Sequence, residues 1–456
     1  MERHSLKINL LTLGCPKNVV DSEVLQGGLR ACGVEFVDSS RQAEAIVINT
    51  CGFIESAKEE SIEAILQAVA LKKSGGVRRV FVTGCLSERY APELRREIPE
   101  VDGYFGNRDL PGIVKSIAQQ LRLKYELLGE RELLTPRHYA YLKISEGCEH
   151  PCTFCAIPAI RGKFCSTPVP DLVREAHALA AKGVKELILV AQDSTQYGLD
   201  LDGRQQLPAL LRALGQVDGI AWIRLMYAYP HHMNDEIIAA LVAEPKVVKY
   251  LDMPIQHISN RMLKRMARRL NREDTEDLIR RLHRALPELV LRTSLIVGFP
   301  GESEADFQEL YDFVAAGHFE RMGVFTYSQE EGTPAFAFSG QVAEEAKRER
   351  CDALQQAQRE VAAAWNERQV GRELHVLIED YDANEAVYRG RTEWDCPEID
   401  HAVMVSAAAG QLQAGEFHAV RIVAAHDYDL VGEVLEKDPL APRVMAKQRR
   451  LPVLVS

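Results

Sequence analysis

The chain reads as an α/β protein of three units: an N-terminal parallel α/β sheet, a central incomplete (βα)6 barrel, and a small C-terminal all-β barrel. Three observations predict this. Apolar runs alternate with helical patterns through the first third, each run stopping at a cysteine. Six further strand–helix repeats follow. Beyond Gly371 the texture changes to short strands separated by turn residues. A chain of 456 residues is too long for one ordinary domain, and the boundaries are expected at 5–121, 134–366 and 367–437.

In the first unit the apolar runs are Ile8–Cys15, Ala45–Cys51 and Val80–Cys85, with helical patterns over Asp21–Cys32 and Ser56–Lys73. Strands alternating with helices imply a parallel sheet with right-handed crossovers. All strands then point the same way, so Cys15, Cys51 and Cys85 arrive at the carboxyl edge, where open α/β sheets bind ligands. Three thiolates converging there make a three-ligand site for an iron–sulfur cluster, with one iron left open. Cysteine is often simply buried, but burial alone does not put one at the same place in three successive units. Cys32, before Gly33, reads as a plain core residue. Asn18, Asp21 and Ser22 read equally well as helix caps and first-turn polar groups or as site residues.

A polar stretch, Arg122–Arg137, ends in Thr135-Pro136 and reads as a linker. Six strands are expected after it: Tyr139–Ser145, Glu186–Gln192, Trp222–Tyr229, Tyr250–Gln256, Leu291–Val297 and Arg321–Tyr327. Amphipathic helices separate them, for example Leu172–Lys182, Asp235–Ala243 and Glu304–Ala315. Such barrels hold their ligands at the carboxyl ends of the strands. After the first strand comes Gly147-Cys148-Glu149-His150-Pro151-Cys152-Thr153-Phe154-Cys155. That spacing can turn three thiolates onto one cubane cluster, which usually takes four cysteines; the open iron can chelate a substrate or cofactor. Zinc sites favour C-x2-C pairs with a fourth ligand, and His150 lies inside the loop where it could barely reach. Other strand ends offer Gln192-Asp193-Ser194-Thr195, Pro254-Ile255-Gln256-His257 and Val297-Gly298-Phe299-Pro300-Gly301-Glu302. Gln192, Ser194, Gln256, Gly298 and Gly301 are the cofactor candidates among them, the glycines for close backbone approach. His257 reads first as a hydrogen-bonded structural residue. Arg161-Gly162 is a carboxylate clamp or a turn. The cationic run Arg261–Arg272 reads as a solvated helix face in preference to an RNA phosphate contact.

Glu344–Arg368 reads as one long polar helix closing the core. Strands at Leu374–Ile378, Ala402–Val405, Phe417–Val423 and Leu430–Val434 then suggest a compact OB-like barrel. The net charge is −11. Between Gln369 and Glu436 four basic residues face fourteen acidic ones, so this small unit carries nearly all of it. Tyr388, Trp394 and Phe417 could stack bases, but single-strand binders pair aromatics with a positive groove. A field this negative repels phosphate and attracts a basic partner. No apolar run of about 18 residues would span a membrane, and Met1–Ser5 leads into a strand without a signal-peptide core. Ten cysteines with no secretory segment argue for a reducing cytoplasm. Cys165, Cys351 and Cys396 receive no role.

Cys148-x3-Cys152-x2-Cys155, with Phe154 before the third cysteine, resembles the signature of the radical S-adenosylmethionine (SAM) superfamily. Leu13-Gly14-Cys15-Pro16-Lys17-Asn18, Asp21-Ser22-Glu23, Asn49-Thr50-Cys51 and Thr83-Gly84-Cys85 narrow the resemblance to the methylthiotransferases. Pro16-Lys17, where the tRNA-modifying branch usually carries Gln-Met, and His257-Ile258 after Gln256 resemble the branch acting on ribosomal protein S-twelve. The resemblance implies two 4Fe-4S clusters, one on each cysteine triad, with the six cysteines as catalytic ligands. It implies SAM on the open iron of the Cys148 triad, with Phe154 near the adenine and Gly298 and Gly301 near the adenosine. It further implies a C-terminal TRAM domain. One SAM methylates a sulfur on the auxiliary cluster; a second yields a deoxyadenosyl radical that takes a β-hydrogen from an aspartate, and the carbon radical captures the methylthio group. An unactivated C–H bond is beyond ordinary acid–base catalysis, so the cofactor supplies the radical and the protein positions the parts. The implied partners are ribosomal protein S-twelve, free or in the small subunit, an electron donor and a sulfur donor, with little direct RNA binding by the acidic TRAM unit. The competing readings are a tRNA adenosine methylthiotransferase and a two-cluster electron-transfer or cluster-carrier protein.

Overall fold

The three cysteine-ended runs form adjacent parallel strands. The structure, a computed structural model, describes residues 5–123, 131–407 and 411–435. Its first sheet has the order Val34–Phe36, Leu6–Thr12, Ala45–Thr50, Arg79–Gly84, Gly103–Tyr104, every pair parallel. Ala45–Thr50 is buried along its whole length, as a central strand covered by helices on both faces must be. The register sets Thr12 beside Asn49 and Thr50 beside Gly84. The three strands therefore end level, and the cysteines follow at one edge. Two helices begin on those cysteines. The first runs Pro16–Ala31, five residues earlier than the expected Asp21, with Pro at its head, where the missing N–H costs nothing; Cys15 is its cap residue. Another starts at Cys85 itself.

The central unit is an open sheet of six parallel strands in sequential order: Tyr139–Lys143, Glu186–Val190, Trp222–Leu225, Val247–Asp252, Val290–Val297 and Arg321–Thr326. The third and fourth stop before the expected Tyr229 and Gln256, because the chain turns out through Tyr227 (φ 59°) and Gln256 (φ 73°). Alternate residues divide between the two faces. Leu187, Leu189, Ile223 and Leu225 pack outward against helices, while Tyr139, Tyr141, Ile188 and Val190 point inward. The helix Glu344–Glu367 closes the open side against Arg321–Thr326 and Glu304–Ala315. Within the expected linker, residues 124–130 lie outside the described residues. Arg131 beyond them is no loose tether: it pairs with Glu23 and Glu175 and donates to the Tyr141 carbonyl.

The third unit is a closed five-stranded barrel in the order Glu373–Asp382, Val387–Arg391, Val403–Ser406, Leu430–Val434, Phe417–Ala425. The strand Val387–Arg391 adds to the four expected ones; position 436, at the far end of this unit, lies outside the described residues. The segment Thr392–Asp400 enters the central barrel from below, at the amino ends of its strands. Arg321 reaches Asp395 (2.9 Å), Arg292 reaches Asp400 (3.2 Å), Tyr250 and Tyr139 donate to Asp400 and Glu398, and Arg391 pairs with Glu186. The aromatics weighed as base-stackers are engaged within the protein. Tyr388 and Trp394 are buried, Trp394 lies edge-on to Trp365, and Phe417 edge-on to Trp222. Two of this unit's acids, Asp395 and Asp400, are the countercharges of arginines inside the central barrel.

Candidate active site

Cys15, Cys51 and Cys85 face one another across the upper edge of the first sheet. A Cβ on Gly14 would sit 3.0 Å from the Cys51 sulfur, so the chain passes tightly over it. Ser61 brackets the Cys51 backbone, accepting from its N–H and donating to its carbonyl. Asn107 donates to the Cys85 sulfur at 3.4 Å. Burial pushes the Cys85 thiol up to about 12, against the pull of Arg161 and with the negative charge of Cys15 and Cys51 adding to it. Burial likewise raises Cys51. Three thiols brought to one sheet edge are the donor type an iron–sulfur cluster takes, and a bound metal would displace their protons, so the donor set fits such a cluster.

The second triad lies at the carboxyl end of the first barrel strand. Burial raises Cys148 to about 11 and Cys155 to about 12, and the same argument applies to its three thiols. The loop is held from outside. Cys148 N–H donates to the Gly162 carbonyl, Thr153 N–H to that of Met266, and Ala335 N–H to that of Thr153. Phe154 packs with Met262, Met266, Phe299 and Tyr327 in an apolar pocket beside the Gly298–Gly301 turn. Sequence reasoning missed the anchor inside the loop. Both His150 Nε2 and His232 Nδ1 lie 2.8 Å from Oδ2 of Asp193, which is fully buried. Burial opposes the charge on Asp193, but bonds from His150, His232 and Thr195 hold its carboxyl well below the usual range. His150 also stacks on Tyr229 with ring centres 4.1 Å apart. Arg268 sits 4.2 Å from the centre of the same ring and donates to the Cys152 sulfur at 3.6 Å. An imidazole engaged this way on Asp193 is no fourth zinc ligand for the loop.

Arg161, six residues beyond Cys155, reaches from the central unit to the first triad. It is buried, donating to Asp21 and Glu146 through Nη1 and to Asn18 (2.6 Å) and the Cys85 sulfur (3.5 Å) through Nη2. Lys143 bonds the same Asp21 and Glu146. Burial alone would raise Glu146; Lys143 and Arg161 overcome it and bring the carboxyl to about 2. So Arg161 is a carboxylate clamp rather than a turn residue. Asn18, Asp21 and Ser22 are bridge residues rather than caps: Asn18 donates to the Leu13 and Thr50 carbonyls, and Ser22 accepts from Thr12 and Asn49. Lys17 crosses the same gap, its ammonium 3.2 Å from the ring centre of Tyr227; burial lowers it to about 8.

The remaining candidates divide. Gln192 donates to Glu146 at 2.9 Å, which brings it to the bridge. Ser194 is fully buried and donates to the Met226 carbonyl, so its hydroxyl fixes a strand end and faces no open space. Gln256 turns the chain above the fourth strand, its N–H donating to the Ser294 carbonyl. The glycines of the fifth turn make room for protein side chains: a Cβ on Gly298 would strike Lys347 at 2.2 Å, and one on Gly301 would press Arg265 at 3.2 Å. Glu302 holds that turn by accepting from the Phe299 N–H. Burial raises its carboxyl to about 7, with Arg350 pulling the other way. His257 is structural, accepting from the Ile258 and Ser259 N–H groups, and burial lowers it to about 3. The cationic run is solvated in part: Arg261, Lys264 and Arg269 are exposed, while Arg265, Arg268 and Arg272 are half-buried. Arg261 pairs with Asp306, Arg265 donates to the Pro300 and Ser339 carbonyls, and Arg268 holds the cluster loop; Lys264 and Arg269 face solvent. Cys32 is buried at its helix end, Cys165 is exposed, Cys351 is half-buried, and Cys396 is sealed inside the inserted segment.

Comparison with known proteins agrees with this arrangement. Residues 7–106 match the family described as Uncharacterized protein family UPF0004, residues 142–314 the Radical SAM superfamily, and residues 370–435 the TRAM domain. The chain is 47% identical over 446 residues to the ribosomal protein uS12 methylthiotransferase RimO of Christiangramia forsetii, covering 97% of this chain and 98% of that protein. It is 46% identical over 433 residues to the protein of the same name from Cytophaga hutchinsonii, covering 94% and 98%. Among solved structures it is similar to the radical S-adenosylmethionine methyltransferase TsrM from Kitasatospora setae, determined with cobalamin and a 4Fe-4S cluster bound. There the TM-score is 0.54 at 15% identity, covering 73% of this chain and 77% of that one, a likeness of fold. No helix among the described residues is long and apolar enough to cross a membrane.

Proposed function

The chain belongs to the family of ribosomal protein uS12 methylthiotransferases, and from that premise we propose that it inserts a methylthio group at the β-carbon of an aspartate in that ribosomal protein. The observation that carries the proposal is the pair of cysteine triads, with buried Arg161, six residues beyond Cys155, reaching Asp21 and the Cys85 sulfur of the first unit. Two 4Fe-4S clusters, one on Cys15, Cys51 and Cys85 and the other on Cys148, Cys152 and Cys155, supply with SAM the radical and the methylated sulfur when bound. The chain's own residues do the rest. Asp193 and Arg268 hold the loop triad, Phe154 and the Gly298–Gly301 turn wall the adenosine side, and Gln192 and Gln256 offer amides at the strand ends. Ser194 contributes by fixing its strand end. The segment Thr392–Asp400 seals the barrel from below, which keeps water from a reactive centre.

The units 5–121, 134–366 and 367–437 divide the labour into auxiliary cluster, radical chemistry and substrate docking. The third unit's exposed acids, among them Glu385, Glu416, Asp427 and Glu433, suit a basic ribosomal protein better than RNA. With Tyr388 and Trp394 buried and Phe417 packed on Trp222, nothing favours tRNA adenosine as the substrate. An electron donor and a sulfur donor complete the set of partners.

Anaerobically prepared protein is expected to hold about eight irons per chain, two cubanes' worth, and to add the methylthio mass increment to a uS12 peptide containing the target aspartate. About four irons, or an undiminished increment on uS12 from cells lacking this enzyme, would refute the proposal.

A further inference from the structure

We infer that Lys17 holds the side-chain carboxylate of the target aspartate and so selects that residue and aims its β-carbon. The inference rests on the function proposed above, since it names a contact to that substrate.

Lys17 stands where a lysine has little structural reason to be. It is only 7% exposed. It lies in the first turn of the helix Pro16–Ala31, the positive end of the helix dipole, which disfavours a cation. Among the described residues no ion pair or hydrogen bond engages its ammonium; its one polar contact is the face of Tyr227. A buried cation without an anion is costly, and a ring face offsets only part of that.

The neighbouring carboxylates are already matched, and the other negative neighbour is the Cys15 sulfur. Asp21 and Glu146 are taken by Lys143 and Arg161. Asp252 is taken by Arg292 and by the Tyr227 N–H. Lys17 is the cation left over at this bridge, and its ammonium is not among the sealed buried polar atoms that lack a partner. The platform beneath it is rigid. Tyr227 keeps a left-handed backbone, φ 59°, which a bulky residue adopts only when its surroundings impose it. Its N–H donates to Asp252 and its carbonyl accepts from Ser194.

Position and chemistry then agree. Lys17 is two residues beyond Cys15 and crosses the gap between the first unit and the barrel to rest on the end of the third barrel strand, with Glu146 and Asp252 near it. A carbon that loses hydrogen on one side and gains sulfur on the other has to lie in that gap. In aspartate the carboxylate is bonded directly to the β-carbon, so a cation gripping the carboxylate fixes the reacting atom. The rival role is countercharge for the cluster on Cys15, which would be blind to the substrate's charge.

The test is a two-by-two comparison on the anaerobic holoenzyme with SAM present. Equilibrium binding is measured for a uS12 peptide with the target aspartate and for its Asn counterpart, to the wild type and to Lys17→Met, with Lys17→Gln as the second neutral variant and Lys17→Arg as the charge-preserving one. The wild type should prefer the Asp peptide by about 10- to 100-fold, as a charge-assisted bond to a carboxylate requires. Both neutral variants should lose that preference, and Lys17→Arg should keep most of it. A neutral variant that discriminates Asp from Asn as well as the wild type, or a wild type that binds both peptides equally, overturns the inference alone. A wild type that binds but never methylthiolates the Asp peptide overturns the proposed function with it.

Discussion

Cys148, Cys152 and Cys155 come from one short loop, whereas Cys15, Cys51 and Cys85 come from three strands far apart in sequence. The loop triad is compact along the chain but relies on distant segments for its shape: Asp193 on His150, Met266 and Ala335 on Thr153, Arg268 on Cys152. The strand triad is dispersed along the chain but needs little beyond the sheet, because parallel register alone makes Thr12, Thr50 and Gly84 end level. A site close in sequence can thus be the more dependent on tertiary structure.

The largest expected effect separates the triads by what each abolishes. Alanine at Cys148, Cys152 and Cys155 should remove both deoxyadenosine and methylthiolated product. Alanine at Cys15, Cys51 and Cys85 should remove the product and spare deoxyadenosine, as followed by chromatography. Next is the tie between the first unit and the barrel. Arg161→Met leaves buried carboxylates short of a cation and should cost about 3–5 kcal/mol, read by thermal melting, with product falling although each triad still binds iron.

Two glycines sharpen the contrast further. Gly84 has φ 102° and a Cβ there would meet the Thr50 carbonyl at 2.4 Å; Gly147 has φ 79° and would meet that of Lys163 at 2.1 Å. Each alanine substitution should cost about 3 kcal/mol, at the top of the range for such backbone strain. Iron analysis should show Gly84→Ala losing metal from the strand triad and Gly147→Ala from the loop triad.

Asp193→Asn keeps the shape but weakens its hold on the two imidazoles, and about 2–3 kcal/mol is expected. It should speed iron loss to a chelator from the loop triad only. The smallest effect lies at the turn beside Phe154. Glu302 titrates at about 7 when folded, against an ordinary 4.5, so between those values the folded protein holds a proton that the unfolded one lacks. Stability should fall as pH rises through that window. In Glu302→Gln this contribution should vanish from melting curves taken at pH 5 and pH 8.

The two triads and the strand order were legible because both follow from local pattern: apolar runs set strands, and strand direction sets where the next residue emerges. The partners of the cationic run and of the C-terminal aromatics were not legible, for the opposite reason. Nothing near Arg261 in sequence indicates Asp306, and nothing near Trp394 indicates Trp365. The acidity of the third unit was read as a surface property, yet Asp395 and Asp400 balance Arg321 and Arg292 inside the barrel.

What the amino-acid order determined by itself was which cysteines fall together and the edge at which they emerge, since backbone direction and thiol spacing belong to the chain. What only tertiary structure decided was how charges pair across it. Arg161 finds Asp21 across 140 residues, and Lys17 finds the ring of Tyr227 and no carboxylate. A charge acts through space, and its partner is whichever group the fold brings within reach.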